Sequence, residues 1–138
     1  MRTIVVDTSA IMAVLLKEPD GDRYSEALLD ADVILISAPT VLEATLVSTR
    51  LTGSARSVER FLASFPFAVR AFDAQQLAIA QAGFAQFGKG RHPAKLNLGD
   101  CFAYALSKST GFPLLWKGDD FTQTDLTSAL DTRSTAER

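Results

Sequence analysis

Short apolar runs alternate along this chain with longer stretches in which apolar residues return every third or fourth position. The first run, Thr3 to Val6, is continuous and mostly β-branched, which predicts a buried strand. Ser9 to Lys17 reads as a helix, stopped by Pro19-Asp20-Gly21. Asp22 to Asp30 forms a second helical stretch, with Tyr24, Ala27 and Leu28 on one face. DVILIS is the next strand. Pro39 suits the first turn of a helix that runs to Leu51 and stops at Gly53. Ser57 to Phe65 follows as a helix with Phe61, Leu62 and Phe65 as its apolar face, and FAVRAF is a third strand. Asp73 then caps a long helix in which Leu77, Ala80, Phe84 and Phe87 recur at helical spacing. GKGRHPAKLNLG is a loop. Asp100 opens the helix DCFAYALSKSTG, PLLW is a fourth strand, and KGDDF is an acidic turn after it. The polar tail from Asp131 is expected to fray.

Strands alternating with helices predict an α/β domain: a mostly parallel central sheet of four to five strands flanked by helices on both faces. No repeat or linker divides the 138 residues, so one domain over 1–138 is expected, with 131–138 as its tail. Hydrophobic residues make up 47%, enough for a real core at this length. The net charge of −2 argues against bulk electrostatic affinity for nucleic acid and leaves room only for a local basic patch. The single cysteine, Cys101, excludes an internal disulfide and suits the cytoplasm. No apolar run approaches the ~18 residues that span a bilayer. No membrane partner is expected.

In parallel sheets, ligands sit beyond the carboxyl ends of the strands. Asp7 follows the first strand, and Asp119 and Asp120 follow the fourth. Asp100 starts the helix leading into that fourth strand, and Glu43 lies early in the helix after the second. Each has an ordinary reading. Asp7 and Asp100 make good helix caps. Glu43 could close a capping box with Thr40. Asp119-Asp120 could be a solvated turn. Glu43, however, is the only charge between Asp32 and Arg50, on a helix apolar nearly all round. Like charges ~4 Å apart repel by about 4 kcal/mol at an effective dielectric near 20. Several acids gathered at one rim therefore call for a cation. Their donors are all oxygen, which points to Mg²⁺ or Mn²⁺ and not to zinc, and so toward phosphate chemistry.

Four segments in order carry a family likeness: VVDTSAIMAVLLKEPD, SAPTVLEATLV, GKGRHPAKLNLGDCFAYALS and LLWKGDDFTQTDL. Together they resemble the PIN-domain ribonucleases, specifically the VapC-type toxins of VapBC toxin–antitoxin pairs. The likeness covers essentially the whole chain. It implies a PIN-like fold and a metal-dependent endoribonuclease that is Mg²⁺-dependent, with Mn²⁺ as a substitute. It also implies Asp7, Glu43 and Asp100 as core metal ligands and catalytic acids, with Asp119 as the fourth. The family often has Asn where this chain has Asp119, which leaves Asp120 as an alternative. Ser9 is implied to hydrogen-bond within the site. The implied partners are an RNA substrate, a cognate VapB-type antitoxin and a second copy of the chain.

From Ala74 to Gly99 there is no acidic residue, while Lys89, Arg91, His92 and Lys95 cluster before Asp100. Lys89, Arg91 and Lys95 are candidates for holding RNA phosphates, against the plainer reading of a solvated loop. The rival from another class is a phosphoacceptor receiver module that would use Asp7, Asp73 and Lys117. It leaves Glu43 and Asp100 without a role.

Overall fold

The computed structural model describes residues 1–90 and 94–136. Four strands, β1 (Thr3–Val6), β2 (Val33–Ser37), β3 (Phe67–Arg70) and β4 (Leu114–Leu115), form one sheet in the order β3-β2-β1-β4. Every pairing is parallel. The expected α/β architecture is what forms, with the two most apolar strands at its centre. The helices among the described residues are α1 (Thr8–Leu15), α2 (Gly21–Asp30), α3 (Ala38–Thr52), α4 (Arg56–Ser64), α5 (Ala74–Phe87), α6 (Leu98–Thr110) and α7 (Ala129–Ala136).

Strand alternation divides the core into two layers. Ile4, Val6, Ile34 and Ile36 face one, packed with residues of α1, α2, α3 and α4. Val5, Leu35 and Leu114 face the other, under α5 and α6. This parity decides where the next residue of each strand points. Glycine stops α3 at Gly53 and α6 at Gly111, both left-handed with φ of 76° and 77°.

Three expectations change. First, α6 begins at Leu98 with Asn97 as its cap, so Asp100 is its third residue. Second, α5 buries only half of its expected apolar face. Ala80 and Phe87 go in, whereas Leu77 and Phe84 stay 48% and 38% exposed and line a surface groove. Third, residues 131–136 are helical where fraying is expected. That helix is anchored through fully buried Ala129, whose carbonyl accepts an N–H from the Arg2 guanidinium at 2.7 Å. A tertiary contact from the far end of the chain thus overrides weak local propensity.

Candidate metal centre

Val5 faces the α5–α6 layer and Val6 the opposite one, so alternation turns Asp7 toward α6. Asp7 is 4% exposed. Its Oδ2 accepts the Ser9 N–H at 3.0 Å and the Ser9 hydroxyl at 2.7 Å, so Asp7 does cap α1. Ser9 Oγ in turn accepts the Lys117 N–H at 2.9 Å, which ties the chain leaving β4 to the chain leaving β1. The cap and the site are therefore one arrangement.

Asp100, 7% exposed, shares a reciprocal box with Asn97. The Asp100 N–H donates to Asn97 Oδ1 and the Asn97 N–H donates to Asp100 Oδ2, both at 3.1 Å. Glu43 lies in the second turn of α3. Its Oε1 accepts the Thr8 hydroxyl, and its Oε2 lies so close to Gly99 that a Cβ there would overlap it. The Glu43 carboxylate is thus lodged between the heads of α1 and α6. The Thr40–Glu43 capping box does not form; Ser37 precedes α3 and makes no side-chain cap bond.

Burial above all pushes the Asp7 carboxyl up to about 6 from its ordinary 3.8, the nearby Glu43 charge adding to it and the Ser9 bonds opposing it. Burial likewise raises Asp100 to about 8, opposed by the Asn97 N–H and helped by the charges of Asp7 and Asp120. Of the two acids after β4, Asp120 is the one whose charge and side chain act on Asp100. Asp119 stands beside it on the wall of a 430 Å³ hollow that also holds Lys95 and Gln123. Of the basic candidates, Lys89 and Lys95 are exposed, and Lys95 adopts a left-handed φ of 59°. Arg91 and His92 lie outside the described residues.

The acids interact in a chain, Asp7 with Glu43, Asp7 with Asp100, and Asp100 with Asp120. Among the described residues no three of them close on a single point that would hold an ion as they stand. Their chemistry nonetheless fits one: an all-oxygen acidic set, two members of it buried and pushed up to about 6 and about 8 by that burial. Cys101, the nearest soft donor in sequence, is buried in the core. The receiver arrangement is not present. Asp73 Oδ1 is a helix cap for the Gln76 N–H at 2.9 Å, and Lys117 Nζ pairs with Glu18 and Asp20, each at 2.7 Å. The Asp20 and Glu18 bonds raise the Lys117 ammonium's pKa, so the side chain stays a held cation.

Sequence reasoning passed over Thr8, Gly99 and Asn97. Gly99 reads as a loop glycine, and only the arrival of Glu43 from another helix shows what a side chain there would meet. The pair Asn97…Asp100 is a visible capping signal; the choice of Asp100 as cap displaced it.

The PIN domain family model matches residues 4–126. The chain is 43% identical over 133 residues to Ribonuclease VapC28 of Mycobacterium tuberculosis, covering 94% of this chain and 100% of that one. It is 44% identical over 126 residues to Ribonuclease VapC30 of the same organism, covering 89% and 95%. Among solved structures it resembles M. tuberculosis VapC20, described as a sarcin-ricin loop cleaving toxin, with a TM-score of 0.74 at 18% identity over 90% and 96% of the two chains. It also resembles VapBC2 of Rickettsia felis, solved bound to a DNA fragment from its promoter, with a TM-score of 0.71 at 13% identity over 91% and 96%.

Asp7 and Asp100 hold protons that the unfolded chain has released, so folding takes up protons between their ordinary 3.8 and about 6 and 8 respectively. The stability this uptake supplies is complete at acid pH and is lost as pH rises through that window. The melting temperature of chelator-treated protein should fall by several degrees between about pH 5 and pH 8.5. Millimolar Mg²⁺ or Mn²⁺ should recover the loss at the alkaline end, and Asp100→Asn should flatten the chelated slope. A wild-type curve flat in pH and unmoved by either ion would show that the acids do not share a field.

Gly99→Ala should swing the end of the flexible Glu43 side chain aside at little cost in stability. Thr8→Val keeps the shape but removes the hydroxyl that Glu43 accepts, and should cost about 1 kcal/mol. Urea denaturation measures the second and the Glu43 carboxylate resonance the first; an unmoved resonance in Gly99→Ala would show that the close approach is not maintained in solution.

Proposed function

The chain belongs to the PIN-domain family, among the VapC-type ribonuclease toxins, and from that premise we propose that it is a divalent-cation-dependent endoribonuclease whose acidic set is Asp7, Glu43, Asp100 and Asp120, with Asp120 taking the place first given to Asp119. The observation that carries this reading is the burial of Asp7 and Asp100 within each other's field at the strand ends. When bound there, Mg²⁺ or Mn²⁺ supplies a polarised water and neutralises charge on a phosphodiester under in-line attack.

The chain's own groups set up that chemistry. Positive charge arriving at the site would favour the ionised forms of Asp7 and Asp100, so that binding is linked to proton loss below their raised pKa values. Thr8 holds Glu43 at the rim, and Ser9 holds Asp7 and the exit of β4 in one register. Lys95, which lines the 430 Å³ hollow with Asp120, would take a backbone phosphate of RNA, and Lys89 and Arg91, close to it in sequence, would add to the basic patch. One domain over 1–138 carries the whole site, and the cytoplasm is where its RNA would be met.

The reading extends to a partner. A free ribonuclease would damage its own cell, so an off-switch is expected in the form of a VapB-type antitoxin. A 620 Å³ groove beside Glu43 is lined by Leu42, Leu46, Leu98 and Phe102. Leu98 and Phe102 continue it into a second hollow with Phe72, Leu77 and Phe84. An amphipathic segment that folds on binding would seat apolar anchors there. An arginine from it would reach the carboxylates and pair bidentately. A homodimer would present two such grooves.

Asp7→Asn, Glu43→Gln and Asp100→Asn should each lower RNA cleavage by at least about 100-fold, with double variants little worse, since parts of one site are not additive. A variant that keeps most of its activity leaves the acidic set. Replacing Lys89, Arg91 and Lys95 together with Ala should reduce the salt slope of RNA binding by about 2; an unchanged slope returns the loop to a solvated surface. The product of the adjacent gene should co-purify with the chain and inhibit cleavage. If it neither binds nor inhibits, the toxin role fails while the nuclease role stands on the first measurement.

A further inference from the structure

Ser37 is 1% exposed, and its hydroxyl has no hydrogen-bond partner among the described residues. A buried hydroxyl left in that state opposes folding, and one that persists at a site calls for a use. The ordinary use is not taken up: Ser37 occupies the cap position of α3, where serine is favoured because its side chain accepts a helix N–H, and it makes no such bond.

The sheet places this hydroxyl. Thr3 pairs with Val33, Ile4 with Ile34 and Val5 with Leu35; the same register carried two residues past the ladder sets Asp7 opposite Ser37. Adjacent strands lie about 4.8 Å apart. Parity agrees. Leu35 faces the α5–α6 layer and Ile36 the other, so Ser37 turns toward α6 as Asp7 does. The flank matters too. Asp7 Oδ2 is held by Ser9, and Ser9 is held by Lys117 at the exit of β4, the neighbour of β1 on one side. Ser37 ends β2, the neighbour on the other side. The carboxylate is gripped from the β4 flank, while the hydroxyl on the β2 flank bonds neither it nor any other described group.

We propose that Ser37 is a positioning residue for the divalent cation of this site, its hydroxyl hydrogen-bonding the ion's hydration shell on the β2 side of Asp7. The proposal rests on the cation reading above. Mg²⁺ and Mn²⁺ in carboxylate sites keep several waters, and those waters need fixed partners. A serine hydroxyl accepts a hydrogen bond from such a water and directs its own proton to a carboxylate oxygen. Outer partners of this kind tune affinity by about 10- to 100-fold when removed.

Ser48 supplies the control. It lies on α3 away from the strand ends, is equally buried at 1%, and its hydroxyl is equally unpartnered. The measurements are Mn²⁺ affinity by calorimetry and melting temperature in chelator, on wild type, Ser37→Ala, Ser37→Thr and Ser48→Ala. Ser37→Ala should melt at or above the wild type in chelator, because an unsatisfied group has gone, yet bind Mn²⁺ about 10-fold more weakly. Ser37→Thr, which keeps the hydroxyl, should restore most of the affinity. Ser48→Ala should match wild-type affinity. Wild-type Mn²⁺ affinity in Ser37→Ala overturns the proposal. So does a chelated melting temperature several degrees below wild type, which would show a structural bond instead. Wild-type protein that binds no Mn²⁺ overturns the cation reading itself, and this proposal with it.

Discussion

Two carboxylates, those of Asp7 and Asp100, lie out of water and within each other's field. That arrangement is unfavourable in isolation, and much of the surrounding structure exists to hold it. A parallel sheet delivers Asp7 to its carboxyl edge at the end of a buried strand. The α6 helix crosses β1 and β2 on the layer that Asp7 faces, and its first turn brings Asp100 to the same rim. The charges are kept apart from bulk water by apolar strands beneath and by three helix heads around. What would be strain in a structural core is here a standing demand for positive charge.

The supports are small groups whose value lies in their placement. Ser9 bonds Asp7 and the chain after β4 at once, so a two-residue strand is enough to locate Asp120. Lys117, whose N–H makes that bond, sends its ammonium to Glu18 and Asp20 in the turn between α1 and α2. The pair is part-exposed and contributes little by itself, but it fixes the direction in which the chain leaves β4. Gly99 contributes by having no side chain at all, since any Cβ would occupy the space of the Glu43 carboxylate.

Strand and helix order was legible because each element carries its own period. The rim position of Asp7 was legible because a carboxylate directly after a β-branched run has few uses, and that of Glu43 because it is the one acid on an apolar helix. Which of Asp119 and Asp120 acts on Asp100 was not, because two aspartates adjacent in a turn look alike in sequence. The α7 helix escaped because its anchor is Arg2, more than a hundred residues away in sequence. Thr8 and Gly99 escaped for the same reason: their partner arrives from another element. Leu77 and Phe84 have helical spacing, but periodicity cannot distinguish a core face from a face left on the surface.

Asp7 caps α1, and Asp100 completes the box that starts α6. These two of the residues proposed for chemistry are therefore also architectural residues, and the two duties part company at a single atom. Asparagine accepts a helix N–H about as well as aspartate, whereas alanine accepts nothing. Loss of charge alone would leave an inert chain with both helix starts intact. Loss of the whole side chain would also remove the bond at that helix start, at about 0.5–2 kcal/mol. A copy silenced in the first way would persist in a cell as a decoy, still presenting its grooves. A copy silenced in the second way would keep the same grooves on a less stable frame.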